Sequence, residues 1–283
     1  MSVAVNNPAP RIGLQTFTVR RHLKSPAAID GSFARLAALG VTAVELAYVK
    51  LQPAYIDALR AAGEAHGIRF MSSQITYDYL DKERDWVASL HARLECPITA
   101  VSVLPFNVIR GGRDKLLAFA EKLEKLGQWY RERGIQLCFH HHDFEFRRYG
   151  DDIGLDVLLA NTSAQNLGLE LDTYWAQRGG RAPHDLINDL AGRVRVVHLR
   201  DYTIRWKYFE LLPKDAELGA GNLDLARIIG AACDQQVTLL AIEQDTKTPF
   251  ESLARSLEHV RALGFAELPG APDSETSHDS RHL

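Results

Sequence analysis

This sequence of 283 residues has few cysteines, no long apolar run and no excess of positive charge. The three cysteines, Cys96, Cys138 and Cys233, are odd in number and far apart, which argues against a disulfide framework or a thiolate metal site. No segment approaches the roughly 18 apolar residues of a membrane-spanning helix, and the first residues lack the pattern of a secretory signal. We therefore expect a cytoplasmic protein that does not enter membranes.

The charge balance disfavours nucleic acid as a partner. The chain carries 33 lysines and arginines against 36 aspartates and glutamates, which gives a formal net charge of −3. Proteins that follow a phosphate backbone usually have a basic excess. The length permits a large core, and closed α/β barrels commonly have roughly 200 to 250 residues in one domain.

A repeating unit of apolar strand and amphipathic helix runs through the chain. Pro53, for example, opens a helix that ends at Gly67, and IRFMSS follows as a strand. The strand segments are RIGLQTF, AVELA, IRFMSS, ITAVSV, IQLCFHH, NLGLELD, VRVVHL and VTLLAIE. Each leads into a helical stretch, and no GxGxxG or P-loop follows the first, so we predict a single (β/α)8 TIM barrel over residues 1–265 rather than an open doubly wound sheet. The polar segment 266–283 is predicted to be a mobile tail.

Four predicted strands end in a side chain able to bind a divalent metal. They are His140 on strand five, Asp172 on strand six, His198 on strand seven and Glu243 on strand eight. Alone, such a histidine is usually hydrogen-bonded scaffold, and such an aspartate is often an N-cap. Together they converge at the C-terminal mouth of a barrel, facing inward, where a divalent cation compensates their desolvation. Nitrogen and oxygen donors suit Mn, Co, Zn, Ni or Fe, so we predict one such ion.

Several motifs resemble the xylose-isomerase-like TIM-barrel superfamily, across nearly all of residues 11–265. They are HHHDFEF after strand five, LDTYWA after strand six, HLRD after strand seven, LGAGNLD before the seventh helix and IEQD at strand eight. The resemblance implies isomerase, epimerase or dehydratase activity on sugars or their derivatives. It also implies one divalent metal held by glutamate, aspartate, histidine and glutamate from strands five to eight. Asp172, His198 and Glu243 match that set, whereas His140 stands where many members carry glutamate.

The sequence offers three candidates for the metal ligand from strand five, namely His140, His142 and Glu145. Register favours His140, while Glu145 would reach in from the following loop. The residues that do not bind the metal would contact substrate hydroxyls or move protons, which makes His142 and Glu145 the candidates for general acid and base. Glu45, the inward polar residue of strand two, is a third candidate base. The alternative role for Glu45 is that of a rim carboxylate paired with an arginine or lysine.

Further polar and aromatic residues are expected around the metal. The predicted substrate contacts are Glu45, Gln74, Trp175 and Arg200. Trp175 could stack on a sugar ring or pack in the core. Arg200 could hold a substrate oxygen or phosphate, or pair with Asp201 at the rim. The run GAGN at 219–222 offers backbone N–H groups to an anion, or forms a plain turn.

These residues predict a metal-dependent isomerase or epimerase of a small sugar or sugar phosphate. The metal would withdraw charge from a carbonyl and stabilise the enediolate formed when a neighbouring proton leaves. The alternative is a lyase, such as an inosose-type dehydratase or a 3-keto-glycoside lyase. A DNA-repair endonuclease is disfavoured because strands two to four lack the extra histidines that such enzymes need. A non-catalytic sugar-binding barrel would hold no tight metal, and a homo-oligomer, common among such barrels, fits the sequence.

Overall fold

The computed structural model describes residues 10–265, and its centre is a closed barrel of eight parallel strands. The strands are β1 (Arg11–Gln15), β2 (Ala43–Leu46), β3 (Arg69–Ile75), β4 (Ile98–Val101), β5 (Gln136–His140), β6 (Gly168–Asp172), β7 (Val194–Leu199) and β8 (Leu239–Ile242). Their order around the barrel is their order in the chain, and β8 closes on β1, with Leu239 opposite Arg11. The predicted single (β/α)8 TIM barrel is confirmed. The tail predicted at 266–283 lies outside the described residues.

Helices surround the strands. They are α1 (Pro26–Ala38), α2 (Pro53–His66), α3 (Tyr77–Lys82), α4 (Arg84–Leu94), α5 (Phe106–Ile109), α6 (Arg113–Arg131), α7 (Gly154–Ala160), α8 (Thr173–Arg178), α9 (Pro183–Asp189), α10 (Leu225–Asp234) and α11 (Pro249–Ala262). Four of them begin at a proline. Proline suits this position because the first N–H of a helix has no acceptor within the helix, so its absence costs no hydrogen bond. As predicted, α2 ends at Gly67, which takes the left-handed conformation (φ 67°). Between residues 10 and 265, no helix combines the length and apolar character needed to cross a bilayer.

The segment after β7 departs from the predicted alternation. Two antiparallel strands, Asp201–Lys207 and Glu210–Ala216, form a ribbon here before the chain reaches α10. The turn residues Tyr208 and Phe209 both have positive φ, of 50° and 71°, as in the tight turns of hairpins. The prediction that every strand leads into a helix was wrong at this point. The turn lacks the glycine or asparagine that usually signals a hairpin in a sequence.

The core has two layers. Inside the barrel, a small apolar cluster is formed by Ala43, Ile98, Ala100, Cys138, Val196, Leu239 and Ala241. Between the strands and the helices lies a much larger cluster, to which Leu137 and Phe139 of β5 contribute. Successive residues of a strand therefore point alternately to the helices and into the barrel. His140, two residues after Cys138, accordingly continues the inward row towards the mouth.

A buried polar network lies between α4 and strands β3 and β4. His91 is 1% exposed, with Nδ1 2.8 Å from the Cys96 carbonyl oxygen and Nε2 2.9 Å from Ser73 Oγ, which also lies 2.9 Å from Thr99 Oγ1. Because a carbonyl oxygen only accepts, Nδ1 carries the proton, and Nε2 accepts from the Ser73 hydroxyl. Burial lowers the pKa of His91 from 6.5 to about 4, although the hydrogen bond to Cys96 opposes this.

We expect His91 to make the fold sensitive to acid. Between about pH 6.5 and pH 4 the unfolded chain holds a proton on this ring that the folded protein excludes, so the free energy of unfolding falls as the pH falls. One pKa unit corresponds to about 1.4 kcal/mol. His91→Gln has no titrating ring, so its free energy of unfolding should fall by about 3 kcal/mol less than that of the wild type between pH 7 and pH 4. Urea unfolding of both proteins at pH 7, 5 and 4 measures the difference, and equal losses in both would contradict it.

Candidate metal centre

The predicted metal ligands lie together at the C-terminal ends of β5 to β8. One donor atom each of His140, Asp172 and His198 falls within a group whose members are no more than 4.8 Å apart. Glu243 directly follows β8, and its Oε2 is 3.1 Å from His198 Nδ1, while Asp172 Oδ2 is 3.9 Å from the same nitrogen. All four side chains are buried. The barrel therefore brings two imidazoles and one carboxylate into one donor set and places the Glu243 carboxylate beside His198.

His198 stands between two pairs of carboxylates. Its Nε2 lies 2.7 Å from Glu45 Oε1 and 3.2 Å from Glu170 Oε1. An ionised carboxylate only accepts, so Nε2 donates the hydrogen bond to Glu45. Nδ1 then faces Asp172 and Glu243, and it makes no hydrogen bond within residues 10–265. A metal-binding histidine typically has this arrangement, with one nitrogen held by a carboxylate and the other left for the ion.

Negative charge exceeds positive charge around His198. Burial raises the pKa of Glu170 to about 8, reinforced by Glu45, and burial raises the pKa of Asp172 to about 6 despite the opposing charge of Arg200. Burial disfavours the protonated His198 ring, but Glu45 and Glu170 outweigh it and raise the pKa well above its ordinary value. Protons must therefore neutralise the cluster when no metal is bound. A divalent cation fits this donor set and would replace those protons.

The three candidates from strand five have different surroundings. Burial, together with His198 and His142, holds the pKa of His140 well below its ordinary value, so this ring is neutral, as a ligand must be. His140 Nδ1 makes no hydrogen bond among the described residues, although Glu170 Oε1 is 3.4 Å away. The ring of His142 packs edge-on to His140, with centroids 4.8 Å apart. Glu145 instead accepts the His142 backbone N–H at 2.8 Å and lines a neighbouring cavity of about 440 Å³.

A cavity of about 800 Å³ opens at the mouth above the candidate ligands. His140, His142 and Glu243 line it, and so do three predicted substrate contacts, Gln74, Trp175 and Arg200. Burial lowers the pKa of His142 to about 4, so a neutral imidazole faces the cavity at neutral pH. Glu45 does not line this cavity. It lies fully buried beneath it, with a histidine as its partner rather than the arginine or lysine that the sequence left as an alternative.

Arg200 brings the main positive charge to the cavity wall. Its Nη2 donates to both carboxylate oxygens of Asp215, at 3.0 and 3.2 Å, and its Nη1 is 3.4 Å from Asp172 and 3.5 Å from Glu243. Burial opposes the charge on Glu243, but Arg200 and His198 hold the pKa of that carboxyl at about 2. The partner of Arg200 is thus Asp215 on the ribbon, and not Asp201, which the sequence left as an alternative to a substrate contact.

Asp201 occupies the site that residues 219–222 could have offered to an anion. Its carboxylate accepts the backbone N–H groups of Gly219, Gly221 and Leu223, each at 3.1 Å. A Cβ at Gly221 would lie 2.1 Å from Asp201 Oδ1, so only glycine permits this approach. The run is therefore a turn closed by an internal carboxylate.

Two residues with a place in the site were not predicted. Glu170 is fully buried, receives the Gln74 side-chain N–H at 3.0 Å and helps to hold Nε2 of His198. Glu45, Glu170 and His198 form a second convergent donor set, but its members already bond to one another. A charged residue in the inward row of an apolar strand was the available signal for Glu170. Asp215 gave no such signal, because its place depends on the unforeseen ribbon.

The chain belongs to the xylose isomerase-like TIM barrel family, whose model matches residues 33–263. The predicted family is thereby confirmed. An inosose dehydratase from Clostridium beijerinckii is 33% identical over 101 residues, which are 36% of this chain and 32% of that enzyme. The match thus spans about a third of the length of that relative.

Solved structures show the same fold. A sugar phosphate isomerase/epimerase from Parabacteroides distasonis superimposes with a TM-score of 0.72 at 19% identity, covering 93% of this chain and 98% of that one. A D-allulose 3-epimerase from Methylomonas sp., in complex with D-allulose, gives 0.69 at 14% identity and covers 90% and 98%. A xylose isomerase-like protein from Mycobacterium smegmatis, in complex with magnesium, gives 0.67 at 15% identity and covers 95% and 100%.

Proposed function

We propose that this protein is a divalent-metal-dependent isomerase or epimerase that acts on a small sugar or sugar phosphate. The observation that supports this most is the convergence of His140, Asp172, His198 and Glu243 beneath the cavity of about 800 Å³. Family membership points the same way, as do the structural neighbours named as sugar phosphate isomerase/epimerase and D-allulose 3-epimerase. The mixed nitrogen and oxygen donors favour Mn, Co, Zn, Ni or Fe, whereas the Mycobacterium smegmatis neighbour is a complex with magnesium.

When bound, a divalent ion would supply Lewis acidity that stabilises negative charge on adjacent oxygens of a hydroxycarbonyl substrate. Glu45 orients His198 through the hydrogen bond to Nε2 and keeps Nδ1 directed at Asp172 and Glu243. The Asp172 carboxylate also accepts the Trp175 backbone N–H at 2.9 Å, which caps α8 and fixes the direction of this side chain. The donors are therefore positioned before substrate arrives.

Trp175, Arg200 and Gln74 provide the walls for substrate. The indole offers an apolar face to a sugar ring, and the guanidinium offers N–H groups to its oxygens or to a phosphate. Gln74 donates its side-chain N–H to Glu170, so its amide oxygen is the group that it presents to a hydroxyl. Together these side chains would hold the carbon that loses a proton against the cavity wall formed by His142.

His142 is the group that we assign to proton transfer. Its ring lies between those of Phe144 and Trp175, with centroids 5.1 and 5.3 Å away, and it faces the cavity. The Glu145 carboxylate holds the backbone N–H of His142, so we give Glu145 a positioning role. Isomerisation or epimerisation follows when the proton returns to the adjacent carbon or to the opposite face of the same carbon.

A lyase is the second candidate, and the match to an inosose dehydratase favours it. The same deprotonation leads to elimination when a β-hydroxyl leaves before the proton returns. His142, once it holds the proton taken from the substrate carbon, would pass that proton to the leaving hydroxyl, which departs as water. The observed product must therefore decide between the two reactions.

Proton exchange with solvent tests both candidates. We incubate the metal-loaded protein with a panel of ketoses, inososes and their phosphates in D₂O, and follow each by NMR. We expect an epimer or isomer with deuterium beside the carbonyl, formed at least about a hundredfold more slowly by His142→Asn, because general acid–base catalysis contributes about 10²- to 10⁴-fold. His66→Asn on the outer helix α2 is the matched control and should retain the rate.

The products distinguish the outcomes. An unsaturated product without any epimer would reject the isomerase in favour of the lyase. If no ketose or inosose in the panel exchanges a proton, although the protein holds its metal, both proposals are rejected.

A further inference from the structure

Exposed large apolar side chains are concentrated at one end of the molecule. Between residues 10 and 265 they are Tyr48, Phe106, Ile204, Trp206, Tyr208, Phe209 and Leu211, with exposed fractions from 44% to 99%. Tyr48 follows β2, Phe106 follows β4, and the other five belong to the ribbon after β7. All of them therefore lie at the mouth of the barrel. Such a concentration of exposed apolar surface marks an interaction site.

The ribbon has one apolar face, and this face continues the wall of the cavity. Ile204 lies opposite Pro213, and Trp206 lies opposite Leu211. Opposed residues share a face of an antiparallel pair, and so do alternate residues of one strand. Pro213 and Asp215 line the cavity at the base of the ribbon. The face with Ile204, Trp206 and Leu211 thus extends outward from the candidate site.

The ribbon is anchored at its base, where Asp215 binds Arg200, and its outer part from Ile204 to Leu211 is exposed. Asp201 and Ala216 at its base are buried, whereas Phe209 at its tip is 99% exposed. Each strand has seven residues, a length of about 20 Å, and an isolated two-stranded ribbon is marginally stable in water. The turn also holds Tyr208 and Phe209 at positive φ, which side chains of this size disfavour. Stability of the single chain does not explain aromatic residues here, but a contact made by the tip does.

The topology points to a second copy of this chain as the partner. In the ring of eight strands, β7 stands opposite β3. Tyr48 and Phe106 follow β2 and β4, the two neighbours of β3, so this aromatic rim lies across the mouth from the ribbon. A two-fold axis that lies in the plane of the mouth, at right angles to the line from ribbon to rim, places the ribbon of one copy over the rim of the other. In a mouth-to-mouth pair, each ribbon therefore meets the aromatic rim of the other copy.

The exposed charges disfavour a contact between two ribbons. The exposed charges of the ribbon are Arg205, Lys207, Lys214 and Glu210. The exposed charges of α3 and its C-cap, between the two rim aromatics, are Asp78, Asp81, Glu83 and Lys82. The first set sums to +2 and the second to −2. Lys50 and Arg110 also lie near the rim, over the rings of Tyr55 and Phe106. With these two cations counted, the rim sums to zero, so charge does not oppose ribbon against rim, whereas the +2 on each ribbon disfavours ribbon against ribbon.

We propose that two copies associate mouth to mouth, with residues 206–211 of each ribbon packed on the Tyr48 and Phe106 rim of the other copy and closing its cavity. The cavity of about 800 Å³ is in the upper part of the range of about 300 to 1,000 Å³ for drug-sized ligands. The cavity is therefore larger than a small sugar requires. The ribbon end from the second copy would cover the mouth and exclude water from the site.

Sedimentation velocity of the full chain tests the interface. At 50 µM we expect a dimer for the wild type. We expect monomers for the ribbon variant Trp206→Ser/Phe209→Ser and for the rim variant Tyr48→Ser/Phe106→Ser, each with Kd raised at least about a hundredfold, since aromatic anchors dominate such contacts. Glu121→Ser/Lys125→Ser, on the exposed face of α6, is the charge-matched control and should remain dimeric. A monomeric wild type, or a dimer that survives both variants, overturns the proposal.

A cross-linking experiment guards against misfolded variants and identifies the contact. In a Cys233→Ser background, we mix Phe209→Cys chains with Tyr48→Cys or Phe106→Cys chains under mild oxidation. Because Cys96 and Cys138 are buried, a mixed disulfide dimer in at least one mixture is the expected result. Cross-linking of Phe209→Cys only to itself shows ribbon-to-ribbon pairing, and it overturns the proposal, as does the absence of any cross-link.

Discussion

Asp172→Asn is expected to release the metal and to slow catalysis about a thousandfold. Asparagine is nearly isosteric and can still accept the Trp175 backbone N–H, so the cap of α8 survives. It lacks the negative charge that binds the cation and balances Arg200, which lies 3.4 Å away. Loss of the Lewis acid removes several kcal/mol of transition-state stabilisation, and about 4 kcal/mol corresponds to a thousandfold in rate.

Elemental analysis of the purified proteins and steady-state kinetics measure these effects. We expect about one ion per wild-type chain and less than a tenth of that in the variant. Asp224→Asn is a matched control, because Asp224 caps α10 in the same way, through the Arg227 backbone N–H at 3.1 Å, and lies outside the candidate site. Wild-type metal content in the Asp172 variant would show that the ion is held elsewhere in the protein.

Arg200→Met should destabilise the metal-free protein by about 3 to 5 kcal/mol, the usual effect of removing one partner from a buried ion pair. The guanidinium lies within 3.0 to 3.5 Å of the carboxylates of Asp215, Asp172 and Glu243. Methionine would leave these charges uncompensated. Saturating divalent metal should restore part of the loss, because it neutralises Asp172 and Glu243 but leaves Asp215 without its partner.

Urea unfolding at pH 8, with and without a chelator, measures this second effect. Arg227→Met is the matched control, because Arg227 is exposed on α10, away from the ribbon and the rim, and the same substitution there should change the free energy of unfolding by less than about 0.5 kcal/mol. Arg200→Lys keeps the charge but loses the bidentate geometry, so an intermediate loss is expected. The role given to Arg200 is refuted if the methionine variant is as stable as the control.

The positions of the candidate ligands could be predicted because they depend on local periodicity. His140, Asp172 and His198 lie two residues beyond Cys138, Glu170 and Val196 on their strands, and alternation alone turns them inward. Parallel strands that close into a barrel then bring their C-terminal ends to one mouth. No knowledge of side-chain contacts is needed for either step.

The partners of these residues could not be predicted, because they come from distant strands. Glu45 and His198 are 153 positions apart in the chain, and only the radius of the closed barrel brings them within 2.7 Å of each other. Glu145 illustrates the same limit at short range. The 3₁₀ turn Phe144–Phe146 directs its carboxylate back to the His142 backbone N–H, away from the main cavity. The sequence motif alone gave no sign of that direction.

By itself, the sequence determined the barrel and the four strand ends whose side chains are able to bind a metal, because hydrophobic periodicity and turn residues act over a few neighbouring positions. Only the tertiary structure decided which residues contact the site. Glu45 and Glu170 lie beside Nε2 of His198, and Asp215 binds Arg200. Asp201 binds the backbone of the turn at 219–222. These contacts join residues of different strands and loops. They depend on the diameter of the barrel and on the path of the ribbon after β7, which no local pattern encodes.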